Sequence, residues 1–263
     1  MSGIFLSLRQ LSVTYGGSSG AAALDHIDLD IVAGERLAII GESGSGKSTL
    51  ARALAGLLPE GTTVGGEILW PGLGHPPRPG RDFGFVFQDP GSSLNPVLTI
   101  GEQIAEGARR HLGLSWKQAN VRAEELLERV RISQPDKAMR AFPHQLSGGQ
   151  RQRVAIAAAI AARPALLIAD EATSALDVVV QAEIVRLLDG LVREDGMTLL
   201  FITHDIALAS GFVDRIAVFR NARLVEAGPV RSVLSAPESA YTAALIASHR
   251  DLATPPLISE EPS

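Results

Sequence analysis

Residues 41–48 have the sequence GESGSGKS, whose residue types and spacing suit the binding of phosphate groups. Glycines let the backbone turn tightly so that its N–H groups point at phosphate oxygens, and a following helix adds its positive end. In such a loop Lys47 reaches the β- and γ-phosphates of a nucleotide, and Ser48 ligates Mg²⁺. The apolar strand pattern before the segment and the helical pattern after it favour this interpretation over a plain Gly/Ser turn. The predicted nucleotide-binding residues are Gly41, Ser43, Gly44, Ser45, Gly46, Lys47, Ser48 and Thr49.

Two adjacent carboxylates, Asp170 and Glu171, follow an apolar run at residues 166–169. A strand at this run delivers Asp170 to its C-terminal end, where ligands bind in open α/β sheets. We predict that Asp170 holds Mg²⁺, directly or through water, and that Glu171 polarises an attacking water as general base. The alternative is that the two carboxylates cap a helix. Taken alone, this segment favours neither interpretation over the other.

Residues 146–150, LSGGQ, place a serine and two glycines at the start of a helical pattern. Backbone N–H groups and one hydroxyl at a helix start form a second anion site. The alternative is an N-terminal helix cap made by Ser147, and capping is expected in either case. The residues of this predicted anion site are Ser147, Gly148, Gly149 and Gln150.

Composition and charge exclude several classes of function. The chain has 263 residues, of which 46% are hydrophobic, a formal net charge of −5 and no cysteine. It therefore has no general electrostatic attraction to nucleic acid or anionic membranes, and no disulfide or thiolate metal site. Its longest apolar run, residues 154–162, is far shorter than the ~20 residues of a membrane-spanning helix. We expect a soluble protein without a signal peptide, whose membrane association comes through a partner.

Hydrophobic periodicity predicts strands alternating with helices, which is typical of a mainly parallel sheet with helices on its faces. Residues 70–81 are rich in proline and glycine and predict a loop, whereas the pattern from 99 to about 163 predicts an inserted group of helices. Strands are predicted at residues 4–13, 24–31, 36–40, 82–88, 166–169, 199–203 and 216–219, the last opening a hairpin that extends to 227. Helices are predicted at residues 47–58, 100–112, 116–130, 150–162, 178–193, 206–212, 230–234 and 241–248.

The phosphate loop, LSGGQ and residues 166–177 (LLIADEATSALD), in this order and spacing, resemble the ATP-binding cassette (ABC) ATPases. The resemblance implies the α/β fold of P-loop NTPases, with N-terminal antiparallel strands beside a mainly parallel sheet core. It implies an ABC ATPase domain at residues 1–249, containing a helical subdomain at about 95–163, and we expect a flexible tail at 250–263. It also implies ATP and Mg²⁺ as cofactors. In this family two ATPase domains pair head to tail, and each LSGGQ faces the γ-phosphate held by the other domain.

The resemblance implies roles for further positions. Tyr15 matches the aromatic residue that stacks on adenine, with an ordinary strand-end tyrosine as the alternative. Gln88 matches the glutamine that meets Mg²⁺ and the attacking water and signals to the transport partner. His204, which is 33 residues past Glu171, matches the histidine that contacts the γ-phosphate. Residues 174–177 (SALD) match the loop that joins the two ATPase domains.

Residues 87–104, FQDPGSSLNPVLTIGEQI, are similar to the ABC subfamily that imports oligopeptides, dipeptides and nickel in bacteria. Residues 173–181 (TSALDVVVQ) and residues 236–245, with the pattern AP-x-x-x-YT-x-x-L, favour the same subfamily. Two features depart from it. Ser239 and Ala240 stand where the subfamily often has His-Pro, and the chain has none of the cysteines with which longer members can hold an iron–sulfur cluster. We expect peptides as cargo ahead of nickel or metallophores.

The resemblance as a whole implies the ATP-hydrolysing subunit of a bacterial ABC importer, peripheral at the cytoplasmic face of the inner (plasma) membrane. The implied partners are two transmembrane permease subunits, a second ABC ATPase subunit and, indirectly, an extracytoplasmic solute-binding protein, with no nucleic acid. One alternative is a soluble ABC ATPase acting on DNA or ribosomes, which the acidic charge disfavours. Another is a non-catalytic ATP-binding regulator, which the presence of Glu171 and His204 disfavours.

Overall fold

The structure, a computed structural model, describes residues 3–16, 20, 22–174 and 176–250, apart from the side chains of Ser92, His249 and Arg250. It divides into two compact units, Met1–Pro77 together with Met197–Ser263, and Arg78–Gly196. We call the first the loop unit, because it carries the predicted phosphate loop, and the second the helical unit. Apart from its first residue, the predicted tail at 250–263 lies outside the described residues.

The loop unit contains antiparallel strands and a group of strands with both parallel and antiparallel pairing. Its strands, numbered in chain order, are β1 (Ile4–Thr14), β2 (Ala22–Val32), β3 (Arg36–Ile40), β4 (Thr63–Leu69), β7 (Thr198–Thr203), β8 (Arg215–Arg220) and β9 (Arg223–Pro229). Its helices are α1 (Lys47–Ala55), α8 (Ile206–Ser210), α9 (Val230–Ser235) and α10 (Ala240–Arg250). β1 pairs antiparallel with β2 on one side and with β4 on the other. β3 is parallel to both β7 and β8, and β9 pairs antiparallel with β8.

β3 and β7 form the buried centre of the loop unit. Every side chain from Leu37 to Ile40 is 0% exposed, and all six residues of β7 are buried. A parallel strand flanked on both sides buries both faces, so it needs a continuous apolar run rather than alternation. Ile40 is in register with Thr203. The residues that follow the two strands, Gly41 and His204, therefore emerge at the same edge of the sheet.

The helical unit consists of a parallel strand pair covered by helices. Its strands are β5 (Phe83–Val86) and β6 (Leu166–Asp170). Its helices are α2 (Pro90–Ser93), α3 (Ile100–Leu112), α4 (Trp116–Arg129), α5 (Pro135–Ala138), α6 (Gly148–Ile160) and α7 (Val178–Asp195), with a 3₁₀ turn at Pro143–Gln145. β5 and α6 approach so closely that a Cβ at Gly84 would lie 2.3 Å from the Ala159 carbonyl oxygen. α3, α4 and α6 fall within the helical subdomain predicted at about 95–163, whose limits stay a prediction.

The predicted fold class, α/β with a mainly parallel core and N-terminal antiparallel strands, is confirmed. β4 was not predicted, because Gly65 and Gly66 interrupt the alternation by which a strand is identified. Gly66 has a φ of +77°, and a Cβ there would lie 2.3 Å from the Gln10 carbonyl oxygen. The two glycines thus let β4 pass the irregular stretch of β1 between Arg9 and Ser12.

Helix ends also differ from the predicted ends by a few residues. α1 ends at Ala55, three residues before the predicted end, because Gly56 takes a left-handed conformation that closes the helix. α6 begins at Gly148 rather than at residue 150, since Ser147 caps it. Over the part of the chain that the structure describes, no helix has both the length and the apolar character needed to span a membrane.

Candidate functional site

The predicted phosphate loop runs from the end of β3 to the start of α1. Gly41 has a φ of +155°, and a Cβ there would lie 2.2 Å from the Phe219 carbonyl oxygen. Gly46, the N-cap of α1, has a φ of +106°, and a Cβ there would lie 2.5 Å from the Ala23 carbonyl oxygen. Both positions therefore require glycine, the first and last of the G-x-x-x-x-G pattern. The loop is packed against β8 and β2 and is not an open surface turn.

Lys47 is the first residue of α1, and its side chain folds back over the loop. Only 4% of the residue is exposed. Its Nζ donates to the carbonyl oxygens of Gly41, at 2.8 Å, and Glu42, at 2.7 Å. An ammonium group has three N–H donors, so these two bonds fix its position while the charge stays inside the loop. A buried ammonium held by backbone carbonyls suits an anionic ligand in the loop.

Three other predicted residues lie on or beside this loop. The Tyr15 hydroxyl is hydrogen-bonded to Thr49 Oγ1 at 2.9 Å, so the tyrosine is anchored to the first turn of α1. The Ser45 hydroxyl is buried and has no hydrogen-bond partner among the residues that the structure describes. A buried polar group of this kind favours a ligand or water as its partner. The remaining predicted positions of the loop are Ser43, Gly44 and Ser48.

His204 is exposed and directly follows β7. The next residue, Asp205, caps α8 by accepting a hydrogen bond from the Leu208 N–H at 2.9 Å. The Asp205 N–H in turn donates to Thr203 Oγ1 at 3.0 Å. The turn between β7 and α8 is therefore fixed by local hydrogen bonds on both sides of His204. Since Ile40 and Thr203 are in register, this imidazole and the phosphate loop share one sheet edge.

In the helical unit, the two carboxylates lie at the end of β6. Asp170 is the last residue of the strand and is 5% exposed. Glu171 has a φ of +48°, which is uncommon for a residue other than glycine and recurs at functional sites. Gln88 Nε2 donates to Glu171 Oε2 at 3.0 Å, joining residues 83 positions apart. The following helix, α7, is capped by Asp177, so helix capping does not explain the carboxylate pair.

LSGGQ begins α6 and forms a complete capping box. Ser147 Oγ accepts from the Gln150 N–H at 3.3 Å, and Gln150 Oε1 accepts from the Ser147 N–H at 2.9 Å. A Cβ at Gly149 would lie 3.1 Å from Val180 Cγ1, so a larger residue would disturb the contact with α7. The cap predicted as the alternative is thus present, and anion binding by Ser147, Gly148, Gly149 and Gln150 stays a prediction. Ala175 of the SALD segment lies outside the described residues.

A family model with the description ABC transporter matches residues 24–174, which include the phosphate loop, LSGGQ and the carboxylate pair. The chain belongs to the ABC transporter family. Two curated relatives are similar over 92% of the chain. The peptidoglycan transport ATP-binding protein YejF of Agrobacterium fabrum is 46% identical, and the oligopeptide transport ATP-binding protein OppD of Bacillus subtilis is 42% identical. The chain covers 46% of the length of the first and 71% of the second.

A solved structure of an ABC family member supports the fold as well. The ATP-binding cassette MJ0796, described as dimeric, in a post-hydrolysis state and bound to ADP and Pi, matches with a TM-score of 0.75 and 32% identity. The match covers 86% of this chain and 99% of that one. The ABC fold therefore extends over most of the chain.

Alanine at Gly41 is expected to damage this ABC phosphate loop. The added Cβ would collide with the Phe219 carbonyl, so we expect the free energy of unfolding to fall by about 1–3 kcal/mol. Because the loop is distorted, the variant should also lose nucleotide binding. Gly190→Ala is the matched control, since it adds a Cβ in α7 with no atom within 4 Å and should leave stability equal or slightly higher. Thermal unfolding measures both. Equal melting temperatures for the two variants would contradict the packing described for the loop.

Proposed function

We propose that the chain is the ATP-hydrolysing subunit of a bacterial ABC importer for peptides. The observation that carries the proposal is the Glu171 carboxylate, which stands at the end of β6 and is held by the Gln88 amide. A carboxylate oriented by an amide suits the activation of water. A regulator that only binds nucleotide would not require this arrangement.

The proposed chemistry assigns one task to each residue. Lys47 and the loop N–H groups bind the β- and γ-phosphates of ATP, Tyr15 stacks on adenine, and His204 contacts the γ-phosphate. Glu171 polarises the attacking water and takes its proton as the water oxygen bonds to phosphorus and the bond to ADP breaks. Gln88 orients the carboxylate and the water.

Mg²⁺ suits the predicted ligands, which are hard oxygen donors. They are the Ser48 hydroxyl, the Asp170 carboxylate and the Gln88 amide oxygen. The oxygen of the Gln88 amide is the proposed ligand because its nitrogen donates to Glu171. When bound, the ion neutralises charge that develops on the phosphate oxygens. Mg²⁺ usually binds through one or two carboxylates together with substrate phosphates, and Asp170 supplies the one carboxylate among the predicted ligands.

Peptides are the proposed cargo because the two relatives are named for peptidoglycan and oligopeptide transport. We propose as partners two membrane-spanning permeases, a second ABC ATPase and, indirectly, an extracytoplasmic solute-binding protein. The place of action is the cytoplasmic face of the bacterial inner membrane, where the chain is held by the permeases. MJ0796 is described as dimeric, which supports the pairing of two ATPase subunits. In the proposed pair, each subunit supplies LSGGQ to the ATP held by the other.

Ser147→Ala tests the role proposed for LSGGQ against simple helix capping. Ser115 heads an equivalent capping box with Gln118 at the start of α4, so Ser115→Ala is a matched control. Each variant should lose about 1 kcal/mol of stability as its cap is removed. Only Ser147→Ala should also weaken ATP-dependent association of ATPase subunits, by about tenfold, because its hydroxyl contacts the partner's nucleotide.

Sedimentation with ATP measures this association, for the chain alone and with any second ATPase that co-purifies with it. A Glu171→Gln background retains ATP during the measurement. Equal association of the Ser147→Ala and Ser115→Ala variants would leave LSGGQ as a cap only and contradict the head-to-tail arrangement.

A further inference from the structure

Residues 236–245, which carry the pattern AP-x-x-x-YT-x-x-L, make a set of hydrogen bonds within the loop unit. The proposed ATPase chemistry assigns no role to these residues. The Glu226 carboxylate of β9 accepts hydrogen bonds from the Glu238 N–H at 2.9 Å and the Ser239 N–H at 3.1 Å. Ser239 Oγ then accepts from the Tyr241 N–H at 3.2 Å. These bonds fix the start of α10 to the sheet. Tyr241 lies in the first turn of this helix.

Tyr241 reaches the phosphate loop. Its hydroxyl accepts a hydrogen bond from the Glu42 N–H at 3.3 Å. This N–H belongs to the same peptide unit as the Gly41 carbonyl, which accepts from Lys47 Nζ at 2.8 Å. One peptide unit of the loop is therefore held at both ends, by the tyrosine hydroxyl and by the lysine ammonium. Hydrogen bonds in such a chain polarise and strengthen one another.

The ring of Tyr241 is itself held in place from the side of β8. The Arg220 guanidinium lies 4.6 Å from the ring centroid, in the range of a cation–π contact. The strand that carries Arg220 also backs the loop, since the Ala222 N–H after it donates to the Ser45 carbonyl at 3.2 Å. The half-buried ring thus has its own packing against Arg220, and the hydroxyl makes the hydrogen bond to the loop.

We propose that Tyr241 is a positioning residue that holds the Gly41–Glu42 peptide in the orientation that fixes the Lys47 ammonium for phosphate. The proposal rests on the proposed function, in which this loop binds ATP. The tyrosine of the Tyr-Thr pattern at residues 241–242 would thus contribute to nucleotide binding. Without the hydroxyl, the peptide can rotate and the two carbonyls that hold Lys47 lose their common orientation.

Tyr241→Phe removes the hydroxyl and keeps the ring and its contact with Arg220. We expect the Glu42 amide to exchange with deuterium about two- to fivefold faster, and the Kd for ATP to rise about two- to fivefold, as for loss of one neutral hydrogen bond. Amide exchange is read by NMR on the nucleotide-free chain, and Kd by calorimetric titration. Ser248→Ala is the control, because it removes a hydroxyl of the same helix that donates to the Leu245 carbonyl. It should change neither quantity.

The two readouts separate this proposal from the proposed function. If the unmodified chain does not bind ATP, the ATPase proposal fails, while the exchange rate of Glu42 still reports whether the contact exists. If the unmodified chain binds ATP, Lys47→Ala does not, and Tyr241→Phe binds it with unchanged Kd, the positioning role is overturned. An unchanged exchange rate of the Glu42 amide in Tyr241→Phe would overturn it as well. Faster exchange together with weaker binding of ATP supports it.

Discussion

Lys47→Ala is expected to weaken the binding of ATP by about 30-fold or more. The substitution removes the ammonium group that is hydrogen-bonded to the carbonyl oxygens of Gly41 and Glu42. Hydrogen bonds between a charged donor and phosphate oxygens contribute about 1.5–3 kcal/mol, more than a neutral hydrogen bond. Loss of the ammonium also removes the hydrogen bonds that the Gly41 and Glu42 carbonyls accept. The backbone of the loop is then held less firmly, in addition to losing the positive charge. Calorimetric titration with ATP measures the effect.

Lys117→Ala is the control for this change. Lys117 is exposed on α4, so its removal alters the net charge equally without touching the loop. The control should bind ATP as the unmodified chain does. Equal Kd values for Lys47→Ala and the unmodified chain would show that ATP does not bind at the phosphate loop.

Glu171→Gln is expected to lower the rate of ATP hydrolysis by about 100- to 10,000-fold, the contribution typical of a general base. An amide cannot accept the proton of water at neutral pH, yet it has nearly the shape of the carboxylate. The new amide oxygen can still accept the hydrogen bond from Gln88. Binding of ATP should therefore be retained, and the ATP-bound dimer should live longer. Phosphate release measures hydrolysis, and titration measures binding.

Glu125→Gln makes the same chemical change at an exposed position on α4 and should hydrolyse ATP normally. The comparison separates loss of a general base from a general effect of charge. If Glu171→Gln turned over ATP at the rate of Glu125→Gln, Glu171 would not be the base, and the proposal of a non-catalytic regulator would have to be reconsidered for this chain.

Elements with strong local signals could be predicted closely from the sequence. β3 has the predicted bounds because a short apolar run ends at a glycine that the loop requires. α3 has the predicted bounds because Thr99 and Glu102 form a capping box at its start and Gly113 closes its end. The phosphate loop follows an apolar strand and precedes a helical pattern, so its position between strand and helix could be predicted as well.

Features that depend on distant residues could not be predicted. β4 is stabilised by pairing with β1, which overcomes two glycines that are poor strand formers. The contact between Gln88 and Glu171 joins positions far apart in the chain, and only the resemblance to ABC ATPases indicated that both matter. The Tyr-Thr pattern marks Tyr241 in the sequence, but it does not indicate the contact of Tyr241 with Glu42. Spacing along the chain reports local geometry, whereas such contacts depend on how the strands assemble.

The central claim, that the chain powers an importer, is tested most directly by purifying it in mild detergent from the membranes of its source organism. Mass spectrometry then identifies the proteins that co-purify. The account predicts two multi-span permeases, together with a second ATPase where the complex is heteromeric. Their solute-binding protein should then bind peptides in preference to nickel chelates. Ribosomal proteins or nucleic acid in place of any permease would contradict the account.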